Sequence, residues 1–261
     1  MLKSVLTPAH GKLRILGYCS GSGNTLWKAY ELQKQLEKTP EGSPFEIVGI
    51  FADNPASKAA ATAKENGIPC VSIDIRAYYD ERDKPLKDRD VRAEFDREAL
   101  VQLEPLQADM VLLAGYVWAT TDAVLDRYTV VNVHPADLAV TDSEGHRLLA
   151  GANGIKAAFR HNMDYLRASS HIATKELDAG PLLVRSPKVP VDYKLFDNEE
   201  AQFRYYLKLV NEQARLVGAR TVLELALGNF GFDEENRLCY RGVPAPAGLC
   251  FESWEGNCSF C

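Results

Sequence analysis

Through the first half of the chain, short apolar runs alternate with stretches whose apolar residues recur at helical spacing. Leu13–Cys19 (Leu-Arg-Ile-Leu-Gly-Tyr-Cys) reads as a first strand, and Leu26, Ala29, Tyr30, Leu32 and Leu36 then follow roughly the helical period. Residues 45–51 form a second predicted strand, 57–66 an alanine-rich helix stopped by Gly67, and 69–73 a short third strand. A helical pattern over 92–103 carries Phe95, Ala99, Leu100 and Leu103. Residues 109–114 are apolar almost throughout, which suits a strand at the centre of a parallel sheet covered on both faces. A short helix over 121–128 leads into Thr129–His134, where Val130, Val131 and Val133 interleave with Asn132 and His134. Regular alternation of strand and helix predicts an α/β protein: a Rossmann-like, doubly wound, mostly parallel sheet with right-handed crossovers.

The second half is less regular. Residues 135–150 are polar and patternless, which predicts a long surface loop. Gly154–Arg160 reads as helix, and 169–174 and 182–184 as strands flanking the turn Leu177-Asp178-Ala179-Gly180-Pro181. After a linker over 187–197, residues 199–227 form a long helix with Phe203, Tyr206, Leu207, Val210, Ala214, Val217, Val222 and Leu225 on its apolar side. Residues 230–261 read as a short glycine- and proline-containing tail.

Length and composition narrow the function classes. A chain of 261 residues with 46% hydrophobic and 25% charged residues holds one large α/β domain or one domain with an appendage. The net charge of −6 argues against nucleic acid as a partner. The longest apolar run, 110–119, is about half the ~20 residues a membrane span needs. Residues 1–12 contain a proline, a glycine, a histidine and two lysines rather than an apolar signal core, so a cytoplasmic protein is expected. The mixed-sign run 79–98 reads as a solvated loop and helix face.

Cys19 and Cys70 fall in predicted strands and are expected as buried thiols. Cys239, Cys250, Cys258 and Cys261 are numerous enough for a structural zinc, and Cys258-Ser259-Phe260-Cys261 has knuckle spacing. Cys239 and Cys250 lack such a pairing, so free thiols are expected over zinc or a disulfide. Pairing of two copies through the long helix is open, with no signal for or against it.

Candidate chemistry gathers at two places. Asn132 and His134, two apart on a strand, point to the same face, and Pro135 ends that strand. Open α/β sheets place ligands at such C-terminal strand ends. Taken singly, Asn132 could be a strand-end cap, His134 a satisfied buried histidine and Asp178 an ordinary turn residue. Ser20-Gly21-Ser22-Gly23-Asn24-Thr25, between a strand and a helix, could hold an anion on free helix N–H groups. It is neither a Walker loop nor a complete dinucleotide fingerprint, because Leu26 stands where the third glycine belongs.

Taken in order, these motifs resemble the folate-dependent formyltransferases, most closely the glycinamide ribonucleotide formyltransferase branch. The resemblance rests on the Ser20 to Leu26 turn, Ala114-Gly115-Tyr116, Asn132-Val133-His134-Pro135, and His171 and Thr174 before Glu176-Leu177-Asp178-Ala179-Gly180-Pro181. It implies a catalytic domain over 13–190, with 191–261 as a helix and cysteine-containing tail packed on it. It also implies 10-formyltetrahydrofolate as donor and a small-molecule amine as acceptor. Asn132, His134 and Asp178 match the family's catalytic trio. Val117, Trp118, Ala119, Thr120, Thr174, Lys175, Glu176 and Leu177 match its folate-pocket segments, and Arg92 a residue near the folate tail. Gly23, Asn24 and Thr25 match the stretch holding the acceptor's phosphate, and Glu212 a residue near the acceptor.

Formyl transfer turns a flat formamide carbon into a tetrahedral centre with a negative oxygen, which hydrogen-bond donors stabilise selectively. Asn132 supplies one donor and protonated His134 a second, with Asp178 expected to raise the imidazole's proton affinity or to order a proton-carrying water. His171 is expected behind this trio. The departures from the family fall on Gly23-Asn24-Thr25, on the loop after Pro135, on 117–120 and on Glu212-Gln213. They predict retained chemistry with an altered acceptor. A hydrolase releasing formate is the enzymatic alternative, although the twelve leading residues are too few for that branch's regulatory domain. A folate-binding protein without turnover is the other. The acidic charge and the tail, unlike an oligonucleotide-binding barrel, exclude a transfer-RNA acceptor.

Overall fold

A computed structural model of the chain describes residues 2–254 and, as backbone, 258–260. The chain forms two compact units, Leu6–Val131 and a second built from the residues up to Val5 and from Asn132 onward. The strand Thr129–His134 carries the chain from one to the other.

In the first unit, Leu13–Cys19 pairs in parallel with Phe45–Ala52 on one side and Met110–Leu113 on the other. Cys70–Ser72 adds in parallel outside Phe45–Ala52. Met110–Leu113 is buried at all four positions, as its unbroken apolar run requires. Phe51, Phe95 and Tyr18 are fully buried, and the Phe51 and Phe95 rings meet edge to face at 5.8 Å. Cutting either phenylalanine back to alanine would cost about 3–5 kcal/mol. Helix starts follow their caps: Ser57 caps Lys58–Glu65, and Asp88 caps Arg89–Leu103, three residues before the apolar pattern begins. Asp74 caps a short helix, Ile75–Asp80, that the pattern did not reveal. Of the two strand cysteines, Cys19 is buried, which pushes its thiol up to about 12. Cys70 is exposed, contrary to expectation, because its strand is the outer one of the unit and turns that side chain outward.

In the second unit, Ser169–Ile172 runs antiparallel to Leu182–Arg185, with a register shift between Ser169 and His171. Leu182–Arg185 in turn pairs in parallel with Leu249–Phe251. The tail after the long helix thus contributes strands among its described residues. Phe230–Phe232, Leu238–Tyr240 and Val243–Pro244 also pair antiparallel in succession, and Lys3–Ser4 joins them beside Phe230–Phe232. The long helix spans Glu199–Ala226 and is capped by Asn198. Of the face its periodicity predicts, it buries Tyr206, Val210, Ala214, Val217, Val222 and Leu225, while Phe203 and Leu207 are half-buried. The architecture is the expected α/β class, a mostly parallel sheet with flanking helices and a long C-terminal helix. Among the described residues, no helix is long and apolar enough to cross a membrane.

Candidate active site

The second unit gathers its chemistry where Thr129–His134 ends. Asn132 and His134 project to one side, as strand alternation requires, and meet Asp178 from the distant turn. Asn132 Nδ2 donates to Asp178 Oδ1 at 3.3 Å, and His134 Nδ1 lies 3.6 Å from Asp178 Oδ2. Asp178 adopts φ +53°, the left-handed region that aspartate tolerates better than most residues. The turn lies directly against the Ser169–Ile172 strand: a Cβ on Gly180 would stand 1.8 Å from the Ile172 carbonyl oxygen. His171 sits behind the trio, its Nε2 3.2 Å from Asn132 Nδ2 and 3.3 Å from Asp178 Oδ1.

The stretch 135–150 contains order that its composition hides. Val140 and Leu148, and Asp142 and His146, are joined by backbone hydrogen bonds of 3.0 Å, making a small hairpin. The Asp142 carboxylate closes its tip by accepting from the Glu144 and His146 amides. The chain returning from this hairpin touches the trio three times. Arg147 donates to the carbonyl oxygens of Asp178 and Gly180, the second at 2.8 Å. The Leu149 carbonyl lies 3.0 Å from His134 Nε2, and the Gly151 amide donates to Asp178 Oδ2 at 2.8 Å.

These contacts determine where protons sit. The Leu149 carbonyl can only accept, so His134 carries its hydrogen on Nε2 and turns Nδ1 toward Asp178. At 3.6 Å that approach is longer than a hydrogen bond and leaves Nδ1 available to a third atom. Burial pulls the His134 proton affinity below the ordinary value, outweighing Asp178 and the Leu149 carbonyl, which raise it. Asp178 does raise it, as expected, but desolvation of a ring only 7% exposed is the larger effect. Burial alone would push Asp178 up. The His171 hydrogen bond, the charge of a protonated His134 and the Gly151 amide outweigh it and hold the carboxyl far below the usual range. At neutral pH the pair is a carboxylate facing a largely neutral imidazole.

The first unit holds other expected residues. Gly23, at φ +65°, opens the helix Asn24–Leu36 without a side-chain cap, and Asn24 is exposed. A Cβ on Gly23 would stand 2.9 Å from Cys19 Sγ, so the turn needs glycine twice over. In the segment 117–120, Val117 is 75% exposed while Trp118 turns its indole N–H onto Asp53 Oδ2. Ser20 Oγ donates to the same oxygen at 2.9 Å and accepts from the Val117 amide at 3.1 Å. Ala119 is exposed and Thr120 half-buried. Arg92 is buried: its guanidinium pairs with Asp96 at 3.2 Å and donates to the Tyr116 hydroxyl at 2.5 Å.

Back in the second unit, Thr174, Lys175, Glu176 and Leu177 are exposed just before Asp178, and Glu212 is exposed on the long helix. Among the described residues, no three His, Cys, Asp or Glu side chains converge as metal ligands. Cys239 and Cys250 are buried thiols, Cys250 against Arg167. The Cys258 side chain and Cys261 lie outside the described residues.

A family model described as "Formyl transferase" matches residues 13–202. The chain belongs to the formyl transferase family. It is 30% identical over 115 residues to a formyltetrahydrofolate deformylase of Bacillus subtilis, an alignment covering 43% of this chain and 35% of that protein. Similarity to a phosphoribosylglycinamide formyltransferase of Escherichia coli is 29% over 147 residues, 56% of this chain and 60% of that one. The matched regions thus span less than two thirds of these curated relatives. Among solved structures, a phosphoribosylglycinamide formyltransferase of Coxiella burnetii superposes with a TM-score of 0.68 at 20% identity, covering 92% and 99% of the two chains. A formyltetrahydrofolate deformylase of Pseudomonas syringae does so with 0.66 at 19%, covering 90% and 67%. At these identities the structures show a shared fold.

In this formyl transferase chain, Asp53 and Arg147 escaped the sequence reading. Asp53 lies two residues past the predicted strand 45–51, and that place was the available signal. Nothing local marked Arg147, whose partners are backbone carbonyls some thirty residues further on.

Proposed function

We propose that this formyl transferase moves a formyl group from 10-formyltetrahydrofolate to the amine of a small-molecule acceptor. The observation carrying this reading is His134: buried, its tautomer set by the Leu149 carbonyl, its Nδ1 turned toward an ionised Asp178. The acceptor nitrogen attacks the formyl carbon, and the carbonyl π electrons move onto oxygen. Asn132 stabilises that oxyanion by donating an Nδ2 hydrogen to it. His134 Nδ1 takes the proton from the attacking nitrogen and returns it to the folate nitrogen as the old carbon–nitrogen bond breaks. Asp178 stabilises the imidazolium between those two transfers.

Arg92, Val117, Trp118, Ala119, Thr120, Thr174, Lys175, Glu176 and Leu177 are assigned to the folate donor, and Gly23, Asn24, Thr25 and Glu212 to the acceptor. Residues 13–190 form the catalytic part, with 191–261 supporting it. A cytoplasmic location fits this chemistry. The similarity to deformylases favours one second reading, in which water replaces the amine on the same trio and formate leaves.

Tetrahydrofolate release from 10-formyltetrahydrofolate, followed with and without an amine panel that includes glycinamide ribonucleotide, tests these readings. Amine-dependent turnover is expected, reduced by about 100- to 1000-fold in His134→Ala and Asp178→Ala. Formate release without amine identifies the hydrolase. Neither turnover nor folate binding would sink both.

A further inference from the structure

We infer that Arg147 is a positioning residue for this site: its guanidinium grips the turn that presents Asp178, and so sets the carboxylate against His134 and Asn132. The inference rests on the reading of Asp178 as a catalytic group. Arg147 comes from the returning arm of the 140–148 hairpin, part of the loop that departs from the family pattern. One of its terminal nitrogens donates to the Asp178 carbonyl and the other to the Gly180 carbonyl, at 2.8 Å. Two acceptors two residues apart on one turn match the fixed fork of a guanidinium, which a lysine ammonium cannot span. With both terminal nitrogens engaged by backbone, the guanidinium is held on the turn.

The turn needs such a grip. Asp178 holds a left-handed conformation that non-glycine residues disfavour, and its carbonyl faces a side chain rather than a strand partner. Contacts from the same segment alternate: residue 147 holds the Asp178 backbone, 149 the His134 ring and 151 the Asp178 carboxylate. One short stretch thus holds both members of the pair. Within it, Arg147 makes the contact that uses a side chain, and is the position where substitution removes a grip without altering backbone.

The test compares Arg147→Ala and Arg147→Lys with wild type and Asp178→Ala in the full chain. With the most active amine, or formate release if water is the acceptor, kcat of Arg147→Ala should fall by up to about 100-fold while KM for the folate changes little. Lysine should restore only part of kcat. Added methylguanidine should raise kcat of Arg147→Ala but not of Asp178→Ala. Unchanged kcat in a folded Arg147→Ala protein overturns the inference. So does a loss that methylguanidine leaves untouched and that parallels a lowered melting temperature. A readout independent of turnover is hydrogen exchange at the Gly151 amide, which donates to the Asp178 carboxylate. It should quicken by about tenfold in Arg147→Ala while the Ala168 amide, bonded to Ser186 elsewhere in the unit, keeps its protection. Equal Gly151 exchange in both proteins overturns the inference even if wild type turns over no substrate, an outcome that would count against the proposed reaction alone.

Discussion

His134 is caught between opposite influences: burial favours the neutral ring, Asp178 the charged one, and burial prevails. A ring whose folded value lies below the unfolded value of about 6.5 binds protons more readily when unfolded, so stability falls as pH drops through that value. Asp178 is depressed, so its stabilisation is fully present above the unfolded value of about 3.9 and is lost below it. The melting temperature should therefore decline from pH 7.5 to 5 and again below pH 4. His134→Gln should flatten the first decline and Asp178→Asn the second. Identical slopes for wild type and His134→Gln between pH 7.5 and 5 would contradict the account. That these two residues would face each other was legible from strand alternation and motif order. The sign of the ring's shift was not, because it depends on what encloses it: Leu149, and Gly154, where an added Cβ would stand 3.2 Å from His134 Nε2.

Short segments are where sequence and structure part. Residues 117–120 carry no helical or strand period in sequence, yet Asp53 ties this segment down through the Trp118 indole and the Ser20 hydroxyl. Burial raises the Asp53 carboxyl above its ordinary value, so at neutral pH its charge subtracts from stability. Asp53→Asn keeps a carbonyl oxygen for both donors and should melt at or above the wild-type temperature at pH 7. Asp53→Ala leaves the indole and hydroxyl without an acceptor and should cost roughly 1–3 kcal/mol, with a rise in KM for the folate exceeding any fall in kcat. Comparing melting curves and folate KM of the two variants checks this; equal folate KM in Asp53→Ala and wild type would remove the segment from the donor site. At the Asp178 turn, Gly180→Ala would drive a methyl into the Ile172 carbonyl and should cost roughly 1–3 kcal/mol or more, read from chemical denaturation. The long elements were legible because several helical or strand periods reinforce one another, as in Glu199–Ala226. The hairpin of 140–148, the helix Ile75–Asp80 and the strand Leu249–Phe251 were not: each is too short for a period, and their stability comes from caps and remote partners.

At the scale of the whole molecule, alternation of strand and helix placed the chain in the α/β class, and the order of four motifs placed it in its family. The organisation into Leu6–Val131 and the remainder was not visible, because the change occurs inside a single strand where composition does not shift. The two units also differ in how far apart in the chain their paired strands lie. In the first unit, Leu13–Cys19, Phe45–Ala52, Cys70–Ser72 and Met110–Leu113 all find one another before Val131 has been made. In the second, Lys3 lies opposite Phe232, and Leu182–Arg185 is paired by Leu249–Phe251. On a ribosome adding about 5–20 residues each second, the first unit can settle while its successor is still being threaded out. Lys3–Ser4 must then wait for Phe230–Phe232 to emerge, so the second unit is the one a nascent-chain chaperone would have to shield.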